Sequence, residues 1–245
     1  MNLQQINGAW ESIVDFLLPR ICCGCGVRVM QQQWLVCEKC LDAIPPLPQP
    51  ICPVCGCPDA ELKANGRCTD CPMGKIWFQQ ARGYAVYNGT ARTLVEKLKY
   101  GKRLEYARLM ALRMAHMISD QQKSQFDIIT SVPLHSTRQR DRGFNQASHL
   151  ANEISTLTGI PFHPSILQRD KPTPSQTRLK KRQRRDNIAG AFSLRKKADI
   201  SGKTILLIDD VYTTGSTLNE CSRVLMQAGA HSVHCLAFAR APLSA

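Results

Sequence analysis

The sequence predicts an α/β fold, a mostly parallel sheet with helices on both faces, preceded by a small cysteine-rich module. Three observations carry that expectation. Beyond residue 76, short apolar runs alternate with segments whose apolar residues recur at helical spacing, the pattern of a sheet wound with helices. The run Ile205-Leu206-Leu207-Ile208 is wholly apolar, as expected of a central parallel strand buried on both faces. Ten of the twelve cysteines lie between Cys22 and Cys71, and only Cys221 and Cys235 lie beyond.

Taken in order, residues 3–18 place Ile6, Trp10, Ile13, Val14, Leu17 and Leu18 on one helical face, and Pro19 limits continuation. Its polar face is not basic, so packing on its own protein is favoured over a membrane surface. The cysteine-rich segment is divided by the proline-rich joint Pro45–Pro50, read as an extended spacer between two weak repeats. A boundary near Met73–Phe78 gives three parts: an N-terminal amphipathic helix (1–20), the cysteine module (21–75) and the α/β domain (76–245).

Within that domain Gly83–Tyr87 is a short strand candidate. Leu94, Val95, Leu98, Leu104, Ala107, Leu112, Ala115 and Ile118 suggest a helical hairpin or broken helix interrupted at Gly101. Phe126–Val132 reads as a buried strand. Phe144, Ala147, Leu150, Ala151, Ile154 and Leu157 mark a helix ended by Gly159 and Pro161. A long polar stretch, 168–187, precedes the strand Thr204–Ile208. A helix from about Leu218 follows, with Thr217 and Glu220 spaced as a capping box and Gly229 as its stop. Ser232–Ala239 is the last strand.

The length of 245 residues suits one domain of about 150–170 residues with a small appendage. The net charge of +13 points to an anionic partner without choosing among nucleic acid, a polyphosphate and an acidic membrane. The N-terminus lacks the basic start of a signal peptide and carries Glu11 and Asp15. No apolar run approaches the roughly 20 residues needed to cross a bilayer. These features predict a cytoplasmic protein without membrane insertion.

The cysteines fall into CxxC pairs. Cys22/Cys25 and Cys37/Cys40 form one set, and Cys52/Cys55 and Cys68/Cys71 a second. Each CxxC turn offers two thiolates from one knuckle, and two knuckles complete the tetrahedral four-thiolate site that zinc prefers. Eight paired cysteines exceed what a redox dithiol requires. Two structural zinc sites with no open coordination position are therefore expected. Cys23 and Cys57 are spare, either able to replace a neighbour, and spacing leaves the connectivity open, cross-braced included.

The strand at Ile205–Ile208 runs into Asp209-Asp210-Val211-Tyr212-Thr213-Thr214-Gly215-Ser216-Thr217. Loops after parallel strands converge at the carboxyl edge of the sheet, where ligands bind. The backbone N–H groups of Thr213, Thr214, Gly215 and Ser216, with the hydroxyls of Thr213, Thr214 and Thr217, suit a phosphate at a helix N-terminus. Asp209 and Asp210 precede that turn, placed for ribose hydroxyls or a metal ion.

This strand, acid pair and turn resemble the motif by which type I phosphoribosyltransferases bind 5-phosphoribosyl 1-pyrophosphate (PRPP). Leu98–Arg103, Val132–His135, Arg142–Gln146 and the Gln176/Arg185/Asn187/Phe192 stretch resemble, more narrowly, the ComF family and its GntX-like branch, as does the front double zinc-ribbon module. The resemblance spans about Cys22 to Arg240. It implies a phosphoribosyltransferase type I-like sheet, Mg2+ with PRPP, and a role in competence or in using external DNA as a nutrient. Single-stranded DNA or a DNA-uptake helicase are the further partners it brings into view.

Lys171, Arg178, Lys180, Lys181, Arg182, Arg184 and Arg185 form a cluster without acids, suited to closing over an anion or to a nucleic-acid surface. The loop after Phe126–Val132 should hold pyrophosphate, with His135, Arg138, Arg140 and Arg142 as candidates and Lys102 and Arg103 from an earlier element. Arg142 leads, because it precedes Gly143 at an expected helix start. Asp209 and Asp210 are the catalytic candidates, holding the ribose and accepting a proton from an incoming nitrogen base. Cys221 and Cys235 read as small core residues, and His116, His149, His163, His231 and His234 show no ligand spacing.

Overall fold

The structure, a computed structural model, describes residues 21–29, 35–58, 61–72, 74–101, 103–171, 188–195 and 199–241. The N-terminal segment 1–20, Lys102 and residues 172–187, with most of the basic cluster, lie outside the described residues.

Four parallel strands make the main sheet: β1 (Gln80–Val86), β2 (Ile128–Ser131), β5 (Thr204–Tyr212) and β6 (Ser232–Arg240), in the spatial order β1-β6-β5-β2. β3 (Leu167–Arg169) and β4 (Phe192–Leu194) form a small antiparallel pair. Among the described residues the helices are α1 (Glu38–Asp42), α2 (Gly89–Tyr100), α3 (Glu105–Ala115), α4 (Asp120–Lys123), α5 (Ser136–Arg142), α6 (Gln146–Thr158) and α7 (Ser216–Gln227). The predicted break at Gly101 separates α2 from α3, and Gly159 in the left-handed region ends α6.

Side chains alternate along β5 as the pleat requires. Leu206 and Ile208, with Leu236 and Phe238 of β6, face a core filled by Leu94 and Leu98 of α2, Met110 and Met114 of α3, and Leu150 and Ile154 of α6. Ile205 and Leu207, with Val233 and Cys235, face the opposite core, filled by Leu218, Cys221 and Leu225 of α7 and by Ile166, Leu167 and Phe192. Helices thus cover both faces, as predicted. Leu157 departs from the expected apolar stripe of α6 and is exposed.

β5 is longer than the apolar run that marks it. It keeps pairing with β6 through Asp209↔Ala237, Val211↔Ala239 and Tyr212↔Arg240, so both acids are strand residues and not part of the turn. The expected capping box at Thr217 and Glu220 does not form. α7 starts two residues earlier, at Ser216 with Gly215 at its N-cap, and Glu220 instead accepts the Gly190 N–H at 2.7 Å and pairs with Arg223.

The cysteine module is built twice on one plan. Cys22 N–H donates to the Val27 carbonyl and Gly26 N–H to the Cys22 carbonyl; Cys52 to Cys57 and Gly56 to Cys52 repeat this. Gly26 and Gly56 both take positive φ. The joint between the halves is more than a spacer: Pro46 bridges Ala85 and the Pro45 carbonyl accepts the Val86 N–H at 3.1 Å, covering the outer edge of β1. Cys22, Val36, Leu41 and Ile44 join the core beneath α2 and α3, so module and sheet bury apolar surface together.

Candidate functional site

Both acids of β5 line one cleft of about 460 Å3 at the carboxyl edge of the sheet, together with Thr217. Being consecutive on a strand, they approach it from opposite faces. Asp210 is on the α2 side, where its Oδ2 meets Lys99 Nζ at 2.8 Å. Burial alone would lower the Lys99 ammonium, but the Asp210 carboxylate outweighs it and the net shift is upward. Asp209 lies on the α7 side; burial first, and the Asp210 charge second, push its carboxyl well above the usual range. Its Oδ1 accepts the Asp210 N–H at 2.9 Å, and Asp210 Oδ1 accepts the Val211 N–H at 2.8 Å.

The turn Thr213–Thr217 carries the chain from β5 into α7. Gly215 takes φ 73°, a value that favours glycine, and this reversal places the first N–H groups of α7 at the sheet edge. Thr214 is buried, its Oγ1 2.8 Å from Ser216 Oγ. Pro72 and Phe78 lie 3.6 and 3.8 Å from where a Cβ of Gly215 would stand, so the end of the cysteine module backs this turn. Asn219 fastens the junction, accepting the Trp77 N–H and donating to the Lys75 carbonyl.

The facing wall is basic. Arg138, Arg142 and Arg169 line the same cleft as Asp209 and Asp210. Arg142 is the last residue of α5, with Gly143 as the left-handed C-cap, so it does not start a helix; α6 begins at Gln146 with Asn145 as its N-cap. Asn145 ties that start to the end of β2 by donating to the Val132 carbonyl at 3.0 Å. Arg142 stays at the cleft by donating to Gln146 Oε1 at 3.1 Å and lying over the Tyr100 ring. His135 is the N-cap of α5, its Nδ1 accepting the Thr137 N–H, and it is not among the residues lining the cleft.

The eight paired cysteines form two groups, Cys22/Cys25/Cys37/Cys40 and Cys52/Cys55/Cys68/Cys71, each with its sulfurs within 4.8 Å of one another. The connectivity is sequential, not cross-braced. A tetrahedron with zinc–sulfur bonds of about 2.3 Å has edges of about 3.8 Å. The observed Sγ separations lie close to this: 3.7 Å for Cys25–Cys37, 3.7 Å for Cys52–Cys71, 3.8 Å for Cys68–Cys71 and a shorter 3.4 Å for Cys55–Cys68. No disulfide is present among the described residues. Burial works against a Cys22 thiolate, but the backbone N–H groups at its sulfur, Cys37 foremost, outweigh it and bring the thiol down to about 6. Cys57 is not in the second group; its thiol meets Asp70 at 3.3 Å. The donors fit two structural zinc ions, the first half-exposed and the second buried.

Comparison with known proteins agrees with this arrangement. Residues 13–72 match the double zinc ribbon domain and residues 140–244 the phosphoribosyl transferase domain. The "DNA utilization protein YhgH" of Escherichia coli O157:H7 is 31% identical over 221 residues, covering 88% of this chain and 95% of that protein. This chain belongs to the ComF/GntX family. "Competence protein F" of Haemophilus influenzae is 31% identical, over 77% of this chain and 85% of its own, and "Competence protein ComFC" of Bacillus subtilis 28%, over 79% of each.

For this ComF-family chain, the fold therefore brings Asp209, Asp210, Thr217 and Arg142 to one cleft, leaves His135 beside it, and says nothing of Lys102. Sequence reasoning missed Lys99, Gln146 and Arg169. Lys99 and Gln146 sit inside the two short segments that resemble the family, a signal of position but not of role. Arg169 carried no signal: it ends a three-residue strand found only through its pairing with Phe192. Among the described residues, no helix is long and apolar enough to cross a membrane.

Proposed function

We propose that this chain binds PRPP with Mg2+ in the cleft between β5 and α6 and transfers its phosphoribosyl group to a nitrogen base, in the service of using external DNA. The observation that carries the reading is the opposition of two adjacent carboxylates, Asp209 and Asp210, to Arg138, Arg142 and Arg169 across one cleft. A sugar carrying a phosphate and a pyrophosphate needs that polarity. The Thr213–Thr217 turn takes the 5-phosphate on its N–H groups, the acids take the ribose hydroxyls, and the arginines take the pyrophosphate.

Lys99 neutralises the Asp210 charge, and the hard oxygen donors at the cleft fit Mg2+, which Asp210 would help to hold, leaving Asp209 free to take a proton. When bound, Mg2+ supplies charge neutralisation on the pyrophosphate. The chain's own residues do the rest. The arginines stabilise negative charge as the C1–pyrophosphate bond breaks, and Asp209, whose raised proton affinity suits the task, accepts the proton lost by the attacking nitrogen.

The names carried by the relatives, DNA utilization and competence proteins, support the cellular setting. They also favour a second reading, in which the PRPP site serves as a sensor in a protein that acts on DNA without catalysis. One set of measurements separates the two. Calorimetric titration with PRPP and Mg2+ should give saturable heat that Asp209→Asn/Asp210→Asn abolishes, and no heat from the wild type overturns both. Turnover with one of the common nucleobases supports the transferase, and binding without turnover favours the sensor. Engagement of about five phosphates of single-stranded DNA would give a log–log salt slope near roughly −3.5, and a flat slope ends the DNA-contact idea.

A further inference from the structure

We infer that Gln146 is a dedicated donor to the pyrophosphate of the ligand, held in that role by Arg142. The inference rests on the PRPP reading and names a residue for one part of it. Gln146 is the first residue of α6, only 2% exposed, and lines the cleft that holds Asp209 and Asp210. Its Oε1 accepts from Arg142 Nη1 at 3.1 Å. A guanidinium has donors only, so the atom facing it is the amide oxygen, and the orientation of the amide is fixed. The other end of the amide, Nε2, is buried and has no hydrogen-bond partner.

An unsatisfied buried donor is costly and calls for an explanation, and at the wall of a cleft a ligand that completes it is one. The neighbours say which ligand. Nε2 can only donate, so the missing partner is an acceptor oxygen. It stands at the N-terminus of a thirteen-residue helix, where backbone N–H groups favour an anion. Arg138, Arg142 and Arg169 line the same cleft. Burial first, and the charge of Arg138 second, depress Arg169, as expected where cations converge on a site for negative charge. The 5-phosphate turn lies at the start of a different helix, α7, so the α6 end is left for the pyrophosphate.

Arg142 thereby acts twice, as a charge and as the group that keeps the amide from turning its oxygen toward an anion. Gln146→Leu removes the donor at nearly constant volume. Gln146→Glu keeps the shape, pairs with Arg142 and presents an acceptor where a donor stood. The full chain and both variants are titrated calorimetrically with three probes: PRPP with Mg2+, inorganic pyrophosphate with Mg2+, and ribose 5-phosphate. Gln146→Leu is expected to weaken PRPP and pyrophosphate about 10- to 30-fold and Gln146→Glu by more, with ribose 5-phosphate unchanged in both. Unchanged ribose 5-phosphate affinity also reports an intact fold, and if Gln146→Leu misfolds the isosteric Glu variant decides. Equal loss of all three probes, or no loss of pyrophosphate affinity, overturns the assignment. Wild-type binding of pyrophosphate but not PRPP, still dependent on Gln146, would keep it while sinking the PRPP reading; binding of neither probe sinks both.

Discussion

The Tyr212 hydroxyl donates to the Cys55 carbonyl at 3.1 Å, joining the last residue of β5 to the first knuckle of the second zinc group. The contact is close on every side. A Cβ on Gly56 would stand 2.7 Å from the Ala81 carbonyl oxygen and 2.9 Å from the Tyr212 hydroxyl, and the Ala81 N–H donates to the Val54 carbonyl at 2.7 Å. Arg240, buried beside them, lies over the Tyr212 ring. The second zinc site is thus a wall of the sheet that carries the candidate ligand loop.

Removing that hydroxyl tests the wall. Tyr212→Phe leaves the buried Cys55 carbonyl without this donor and is expected to cost about 1–3 kcal/mol. Urea denaturation followed by tryptophan fluorescence reads the loss. A midpoint equal to the wild type would mean that the contact contributes nothing.

The two metal groups should differ in what they support. Elemental analysis of the purified chain is expected to give two zinc ions. Cys55→Ser, in the buried group against β1 and β5, should abolish cooperative folding of the whole chain, since structural zinc contributes on the order of 10 kcal/mol. Cys25→Ser, at the exposed corner of the first group, should lose one zinc and keep a folded sheet. Intact folding of Cys55→Ser without its zinc would refute this coupling.

Lys99 and Asp210 are a partly buried ion pair whose partners depend on each other. Lys99→Met leaves the Asp210 carboxylate, only 11% exposed, beside Asp209 with no ammonium at 2.8 Å. A loss of about 3 kcal/mol is expected, at the low end for a broken buried pair because both side chains keep some contact with water. Adding Asp210→Asn should recover most of it, and simple additivity in the double-mutant cycle would show that the pair does not couple.

The raised proton affinity of Asp209 has a definite sign. The folded state holds this proton more tightly than the unfolded chain, whose carboxyl titrates near 3.8. Stability from the bound proton is therefore full below that pH and lost as pH rises through the folded value. Asp209→Asn should accordingly raise the melting temperature of the ligand-free protein at pH 8 by several degrees, with the gain vanishing toward pH 4. A gain independent of pH would assign it to packing instead.

Much of this protein is local and therefore legible in its sequence. Apolar period marked β5, α2 and α6, because a strand buried on both faces tolerates only apolar residues and an amphipathic helix repeats every 3.6. Paired CxxC spacing marked both metal groups, because a knuckle is a turn of fixed reach. The acid pair and the Thr/Gly turn stood together because strand, acids and helix start are consecutive in the chain. What the tertiary structure alone decided is convergence. Lys99 reaches Asp210 from more than one hundred residues away, and Gln146 and Arg169, from separate segments of the chain, line the same cleft as Asp209. The proline joint became an edge cover, and the zinc module a wall of the sheet, through hydrogen bonds between segments that sequence spacing does not relate. Pattern within a segment reports its own burial, whereas contact between segments depends on where the folded backbone brings them.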